Sequence, residues 1–176
     1  SLICPSHGVI WRQDPLQIVN KYLQWANAYQ ENQITIIYDT MWNGTKRMAE
    51  AIAEGVREAD ADVVIKLYNT GKTDMNDVIT EIFKSKAVAV GSPTVNRALL
   101  SSVAGILEVI RGLGLKQKRA VAFGAYGWSG ESVKLITTKL QESGFEVDCD
   151  GVRALWNPNI EALAECRELG RRLAAR

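Results

Sequence analysis

A short loop in the first quarter of the chain carries residue types that can hold a phosphate group. Two threonines and an asparagine surround a glycine, directly after a strongly apolar run. Hydroxyl and amide groups donate hydrogen bonds, glycine lets the backbone come close, and the start of a helix adds unpaired backbone N–H groups. We therefore predict a terminal phosphate at this loop, which consists of Thr40, Met41, Trp42, Asn43, Gly44 and Thr45.

This phosphate loop differs from the common nucleotide-binding motifs. A Walker loop ends in Gly-Lys-Ser/Thr and a dinucleotide fold has G-x-G-x-x-G, and neither follows the apolar run at residues 34–38. At Trp42 only the backbone N–H is expected to contact a phosphate. The alternative is an ordinary capped turn, since threonine and asparagine are common helix caps.

A second loop has the composition of a turn that lines a flat ligand. Its proline fixes φ and removes one donor, so the remaining N–H groups and side chains are free to face a polar ring edge. The same residues also form plain turns, which leaves a purely structural alternative. The candidate contacts in this long turn are Ser92, Pro93, Thr94, Val95 and Asn96.

A third loop places two aromatic residues among three glycines, over residues 124–130. An aromatic ring stacked on a flat ligand contributes about 1 kcal/mol beyond the burial of its area. A core position for Trp128 against the next helix is the alternative. The candidate contacts here are Ala125, Tyr126, Gly127, Trp128 and Gly130.

Strands and helices alternate between these loops. Short β-branched runs predict strands that are buried on both faces, and one-sided apolar spacing predicts helices. The predicted strands are 34–38, 63–67, 87–90, 119–123 and a last strand split into 145–147 and 152–155. The predicted helices are 14–29, capped by Asp14-Pro15, then 45–58, 75–83, 99–111, 129–143 and 159–172.

This alternation predicts an α/β fold with a five-stranded parallel sheet and an extra helix before the first strand. Right-handed crossovers place helices on both faces, and ligands then bind beyond the carboxyl ends of the strands. The three loops all follow strands, so we expect them to meet at one edge of the sheet.

Composition narrows the possible partners and the compartment. The 176 residues suit one domain, and a net charge of +1 gives no basic surface for nucleic acid. We find no apolar run near the roughly 20 residues that span a bilayer, so we expect no membrane partner. Three cysteines, Cys4, Cys149 and Cys166, without metal-ligand spacing fit a reducing, cytoplasmic setting.

Together the three loops resemble a known family. The motifs at 38–41, 91–94 and 123–130 look like those in the flavodoxin-like domain of flavodiiron proteins, most of all the flavorubredoxin group of anaerobic nitric oxide reductases. The resemblance covers nearly the whole chain. It implies a flavodoxin-like three-layer sandwich with strand order 2-1-3-4-5, and FMN with its phosphate on 40–45, its ring and ribityl chain against 92–96, and 125–130 closing over the isoalloxazine.

The first residues resemble the junction that follows a metallo-β-lactamase-like diiron domain in this family. His7 matches an iron ligand of the family, but the other ligands would lie upstream, so we expect no metal site in this chain and diiron only in a longer parent. The resemblance thus implies a junction and helix over 1–31 and an FMN domain over 32–176.

The resemblance also implies an electron carrier without catalytic residues of its own. Rubredoxin, or a rubredoxin-like domain, would deliver electrons to FMN, and the diiron domain of a partner subunit in a homo-oligomeric parent would use them to reduce NO or O₂. The alternatives are a free-standing FMN-dependent NAD(P)H:quinone oxidoreductase and an ordinary flavodoxin. A receiver domain, of similar topology, is excluded because Gly91-Ser92-Pro93 stands where it needs an aspartate.

Overall fold

A parallel sheet between two layers of helices forms the centre of the chain in the computed structural model, which describes residues 2–147 and 149–175. The strands are β1 (Glu31–Tyr38), β2 (Val64–Asn69), β3 (Ser85–Gly91), β4 (Arg119–Tyr126), β5 (Glu146–Val147) and β6 (Val152–Leu155). The helices are α1 (Leu16–Ala26), α2 (Gly44–Ala59), α3 (Met75–Lys84), α4 (Ser101–Leu113), α5 (Ser132–Glu142) and α6 (Ile160–Ala174).

The strand order is β2-β1-β3-β4-β5, and β6 pairs with the second half of β4. This order and the parallel pairings confirm the predicted flavodoxin-like fold, including the split last strand. The split lies near Gly151, whose φ of 77° suits glycine far better than other residues. Since β1 lies between β2 and β3, the loops after β1, β3 and β4 follow three adjacent strands.

The sheet is buried on both faces, which explains the unbroken apolar run of β1. Ile34 and Ile36 pack toward α2 and α6, while Ile37 packs toward α3, α4 and α5. All three side chains are inaccessible to solvent. Alternate residues of a strand point to opposite faces, so a strand between two helical layers needs apolar residues on both.

The structure corrects several predicted boundaries. Helix α1 ends at Ala26 rather than near Tyr29, because Ala28 has a left-handed φ of 50° that an α-helix does not accommodate. Asp14 also has a positive φ, of 44°, and α1 begins only after Pro15 without a side-chain cap among the described residues. In addition, β4 continues past Phe123 to Tyr126, because β6 pairs with this extension.

The N-terminal helix α1 lies at the margin of the fold. None of its described residues is buried, and its contact with the rest is aromatic: Trp25 meets the ring of Phe83 edge-on, with 6.2 Å between ring centroids. Among the described residues, no helix has both the length and the apolar character needed to cross a membrane.

Candidate functional site

A cleft of about 400 Å³ opens at the carboxyl ends of β1, β3 and β4. Its size lies within the usual range for small-molecule sites. Part of each predicted loop reaches its wall, as expected for loops that follow adjacent parallel strands. Of the predicted residues the structure brings together Thr40, Met41, Trp42, Gly44, Thr45, Pro93, Thr94, Ala125, Tyr126 and Gly127.

One end of the cleft is the N-terminus of α2. Among the described residues no side chain caps this helix, and Asn43, which precedes it, has a left-handed φ of 63°. Asn43 does not line the cleft wall. The first N–H groups of the helix and the positive end of its dipole are therefore available to an anion.

Gly44 lets this helix end pack closely against the rest of the site. A Cβ atom at Gly44 would lie 3.1 Å from the Cβ of Ala125 and 3.2 Å from the carbonyl oxygen of Trp156. Thr45, which is buried, faces the same strand end, with its Oγ1 3.5 Å from the backbone nitrogen of Ala125. A larger residue at position 44 would push α2 away from the cleft.

The loop after β3 is braced from inside by Ser92, which lies outside the cleft. This side chain is fully buried, its hydroxyl donates to the carbonyl of Pro93, and its Oγ accepts the N–H of Leu100 at 3.0 Å. Ser92 therefore shapes the loop, whereas Pro93 and Thr94 form the cleft wall.

Thr94 joins the loop to its neighbours. Its N–H donates to the carbonyl of Ala125 at 3.0 Å, and its Oγ1 accepts the N–H of Ser132 at 3.1 Å. The second bond reaches the first residue of α5. The loops after β3 and β4 thus form one connected wall.

The tip of the same loop forms a tight turn that does not line the cleft. Val95 and Ala98 form a two-way backbone bridge around Asn96 and Arg97, and both central residues have positive φ, as in type I′ turns. The loop therefore contains a tight turn where the sequence predicts a long one, and Val95 and Asn96 are not part of the cleft wall.

The loop after β4 contributes an aromatic wall and an exposed tryptophan. Tyr126 and Gly127 line the cleft, and Gly130 lies under the Tyr126 ring, where a Cβ would come within 3.1 Å. Trp128 lies outside the cleft wall and is 94% exposed, which rules out the core position considered as an alternative.

The sequence reasoning missed two cleft residues, Trp156 and Asn157, which follow β6. Trp156 has a left-handed φ of 55°, uncommon for a bulky residue and therefore a sign of local constraint. A signal was present, because Trp156 directly follows the predicted last strand. The sequence patterns point only to the loops after the first, third and fourth strands.

The mouth of the cleft is aromatic and uncharged. Trp42 is 85% exposed and Trp156 is 70% exposed, near the half-exposed Met41. Among the described residues that line the cleft, none carries a formal charge at neutral pH. Exposed aromatic side chains around a pocket suit contact with a flat ligand or a protein partner.

This cleft meets the chemical requirements of FMN. The start of α2 with Thr40 and Thr45 suits a phosphate, and the apolar and aromatic walls suit a flat ring. Gly44 lines the cleft and allows the start of α2 to pack closely against Ala125 and Trp156. Within the described part of the chain, no three His, Cys, Asp or Glu residues cluster as metal ligands would.

Comparison with known proteins places the chain among flavodoxins. The family model described as flavodoxin matches residues 36–170. A flavodoxin from the domain Archaea is 30% identical, and the match covers 81% of this chain and 96% of that one with a TM-score of 0.72.

Longer proteins are also similar. The anaerobic nitric oxide reductase flavorubredoxin of Aeromonas hydrophila is 49% identical over 174 residues, which are 99% of this chain and 35% of that protein. The rubredoxin oxygen:oxidoreductase of Desulfovibrio gigas is 35% identical with a TM-score of 0.92, over 98% of this chain and 43% of that one. The flavodiiron protein of Giardia intestinalis is 32% identical with a TM-score of 0.90, over the same shares.

These similarities extend beyond the central sheet. They include the residues before β1, since the matches to the longer proteins cover almost the entire chain. The chain spans about a third of the length of the flavorubredoxins that it matches. On the family model, the archaeal structure and the observed strand order, the chain belongs to the flavodoxin family.

Proposed function

We propose that this chain is the FMN-binding electron-transfer domain of a flavodiiron reductase of NO or O₂. It would relay electrons from rubredoxin, or a rubredoxin-like domain, to a diiron site outside this chain. The observation that carries the proposal is the cleft, in which the uncapped start of α2 lies at one end and aromatic residues form the mouth.

Different cleft residues would contact different parts of the flavin. The α2 N-terminus, with Thr40 and Thr45, would hold the phosphate, and Pro93 and Thr94 would contact the ring and the ribityl chain. Tyr126 and Gly127 would cover the ring. Bound FMN would supply the redox chemistry, while these residues orient it and exclude water. The chain itself needs no general acid, base or nucleophile.

The partner assignment rests on similarity and on the exposed rim. Relatives named flavorubredoxin and rubredoxin oxygen:oxidoreductase match almost the whole chain. The exposed indoles of Trp42, Trp128 and Trp156 provide an apolar surface near the cleft for a protein partner. We extend the proposal to residues 1–31 as a junction with a diiron domain, to a homo-oligomeric parent and to a cytoplasmic setting.

The test is reduction of the FMN-loaded chain by two different donors. We expect the chain to bind FMN. We expect reduced rubredoxin, but not NADH or NADPH, to bleach the visible absorbance of the bound flavin in a stopped-flow instrument. Rapid bleaching by NADH or NADPH alone would favour the quinone oxidoreductase instead. A chain that does not bind FMN would reject both functions.

A further inference from the structure

Asp39 stands between β1 and the phosphate loop, and hydrogen bonds from two different elements hold its carboxylate. Oδ1 accepts the backbone N–H of Thr40 at 2.7 Å, and Oδ2 accepts the hydroxyl of Ser102 at 2.6 Å. Ser102 is the second residue of α4 and lies 63 positions away in sequence. The carboxylate therefore joins the start of the phosphate loop to a distant helix.

A third residue extends this connection. The Oγ1 of Thr70 lies 3.0 Å from the Oγ of Ser102, and Thr70 is 7% exposed. Because Ser102 has one hydroxyl proton and donates it to the carboxylate, Ser102 must accept from Thr70. The donor direction is thus Thr70 to Ser102 to Asp39, and hydrogen bonds aligned in this way strengthen one another.

Thr70 is itself fixed to the sheet. Its backbone N–H donates to the carbonyl oxygen of Tyr38 at 2.8 Å, so it stays at the carboxyl end of β1. The neighbouring Gly71 closes over the carboxylate, since a Cβ there would lie 3.0 Å from Oδ2 of Asp39. Three elements therefore lie around the partly exposed Asp39 side chain: its own loop, the turn after β2 and the start of α4.

The charge of Asp39 poses a problem for an adjacent anion site. A carboxylate beside a phosphate repels it, and this repulsion grows as the salt concentration falls. Here the carboxylate accepts a hydrogen bond from the hydroxyl of Ser102. Ser102 lies in the first turn of α4, at the positive end of that helix dipole. The Ser102 contact thus offsets negative charge that would otherwise act on the ligand.

Asp39 also orients Thr40. Its carboxylate accepts a hydrogen bond from the backbone N–H of Thr40, and Thr40 lines the cleft. This hydrogen bond fixes the backbone of the first cleft residue. Movement of Asp39 would carry Thr40 with it and change the contacts that a phosphate meets.

We propose that Thr70, Ser102 and Asp39 form a relay that positions the phosphate loop and makes it favour a phosphorylated flavin over its phosphate-free analogue. The inference rests on the proposed function, since it assumes that the cleft binds FMN. The three residues are positioning residues, because they act through Thr40 and not on the ligand.

The test compares FMN with riboflavin, which lacks the phosphate. Ser102→Ala and Thr70→Val each remove one hydroxyl group of the relay. Thr70→Ser keeps the hydroxyl group at position 70. Ser101→Ala is the matched control, at an exposed serine beside Ser102. Binding to each purified chain is followed by flavin fluorescence at low and at moderate salt, and circular dichroism confirms that each variant is folded. Two independent breaks keep the test decisive if one variant does not fold.

We expect both breaking variants to weaken FMN binding by about fivefold, the effect of one lost hydrogen bond, and to leave riboflavin binding within about twofold of wild type. The FMN effect of Ser102→Ala should grow at low salt, and Thr70→Ser and Ser101→Ala should behave as wild type. Equal losses for both flavins, or no loss for FMN, would overturn the relay while leaving the proposed function intact. A wild-type chain that binds no FMN would reject both.

Discussion

The backbone N–H of Trp156 donates a hydrogen bond of 2.7 Å to the carbonyl oxygen of Tyr126. This bond continues the pairing of β6 with β4 by one residue and brings the loop after β6 to the cleft. The indole of Trp156 lies against Gly127, where a Cβ would come within 3.1 Å of the ring. The cleft therefore has a fourth wall, which follows the edge strand.

Removal of this wall should weaken flavin binding. We expect Trp156→Ala to raise the Kd for FMN roughly tenfold, because an aromatic contact contributes about 1 kcal/mol or more beyond its buried area. Trp156→Phe should lose less, since it keeps a ring. Titration with FMN, followed by flavin fluorescence, measures the change.

The control for this prediction is Leu155→Ala. Leu155 is the neighbouring residue of β6, it is also exposed, and it does not line the cleft. We expect its FMN affinity to match that of wild type. If the two alanine variants lose affinity equally, Trp156 acts only through the stability of β6.

A matched pair of glycines tests the packing at the start of α2. Gly44→Ala places a Cβ 3.1 Å from that of Ala125, whereas Gly112→Ala, in α4, meets open space. We expect Gly44→Ala to lower the free energy of unfolding by about 1 to 3 kcal/mol and to weaken FMN binding. Gly112→Ala should raise the unfolding free energy by roughly 0.5 to 1 kcal/mol, since alanine favours helix.

Urea unfolding of both glycine variants, each compared with wild type, measures this difference. Both residues lie in helices, so helix propensity alone would move both stabilities upward together. A Gly44→Ala chain that is as stable as Gly112→Ala would show that α2 can shift without cost, and that the close approach in the cleft is not required.

Lys118 should make the stability of the chain depend on pH in alkaline solution. This residue is 3% exposed, and its Nζ donates to the carbonyls of Phe83 at 2.9 Å and Ser85 at 2.7 Å. Burial lowers the pKa of Lys118 to about 8, from an ordinary value of 10.5. Between these two values the unfolded chain binds more protons than the folded chain, so stability contributed by this group rises with pH.

The comparison with Lys118→Met isolates this contribution from other groups that titrate in the same range. We expect the unfolding free energy of wild type, minus that of Lys118→Met, to rise between pH 8 and pH 10.5, by about 3 kcal/mol at most. Chemical unfolding at a series of pH values provides the measurement. A difference that stays flat, or falls, across this window would contradict a depressed pKa at Lys118.

Two of the thiols should react at very different rates. Cys166 is fully buried, and its burial, with a smaller effect of the Glu165 charge, raises the pKa of its thiol to about 12. Cys4 is exposed. Since the thiolate is the reactive form, we expect iodoacetamide at pH 8 to label Cys4 in the native chain and Cys166 only after unfolding. Peptide mapping by mass spectrometry distinguishes them, and equal native labelling would contradict the burial of Cys166.

Local patterns in the sequence were enough to predict most of the elements. The unbroken apolar run of Ile34, Ile36 and Ile37 predicted a strand buried on both faces, because only a two-sided core makes such a run favourable. Thr40, Gly44 and Thr45 were predicted to share a ligand-binding loop, because backbone freedom and hydroxyl donors are properties of single residues, and the structure places all three at the cleft. Such features depend on neighbours in sequence, and the sequence by itself determined them.

The strand pairing and helix packing of the tertiary structure determine which residues line the cleft. Trp156 reaches it only because β6 pairs with the end of β4, and Ser92 faces the interior because Leu100 donates to its hydroxyl. Ser102 meets Asp39 only because α4 begins beside the end of β1. These contacts join positions far apart in the chain, and their distances follow from strand order and helix packing, which local residue patterns do not encode.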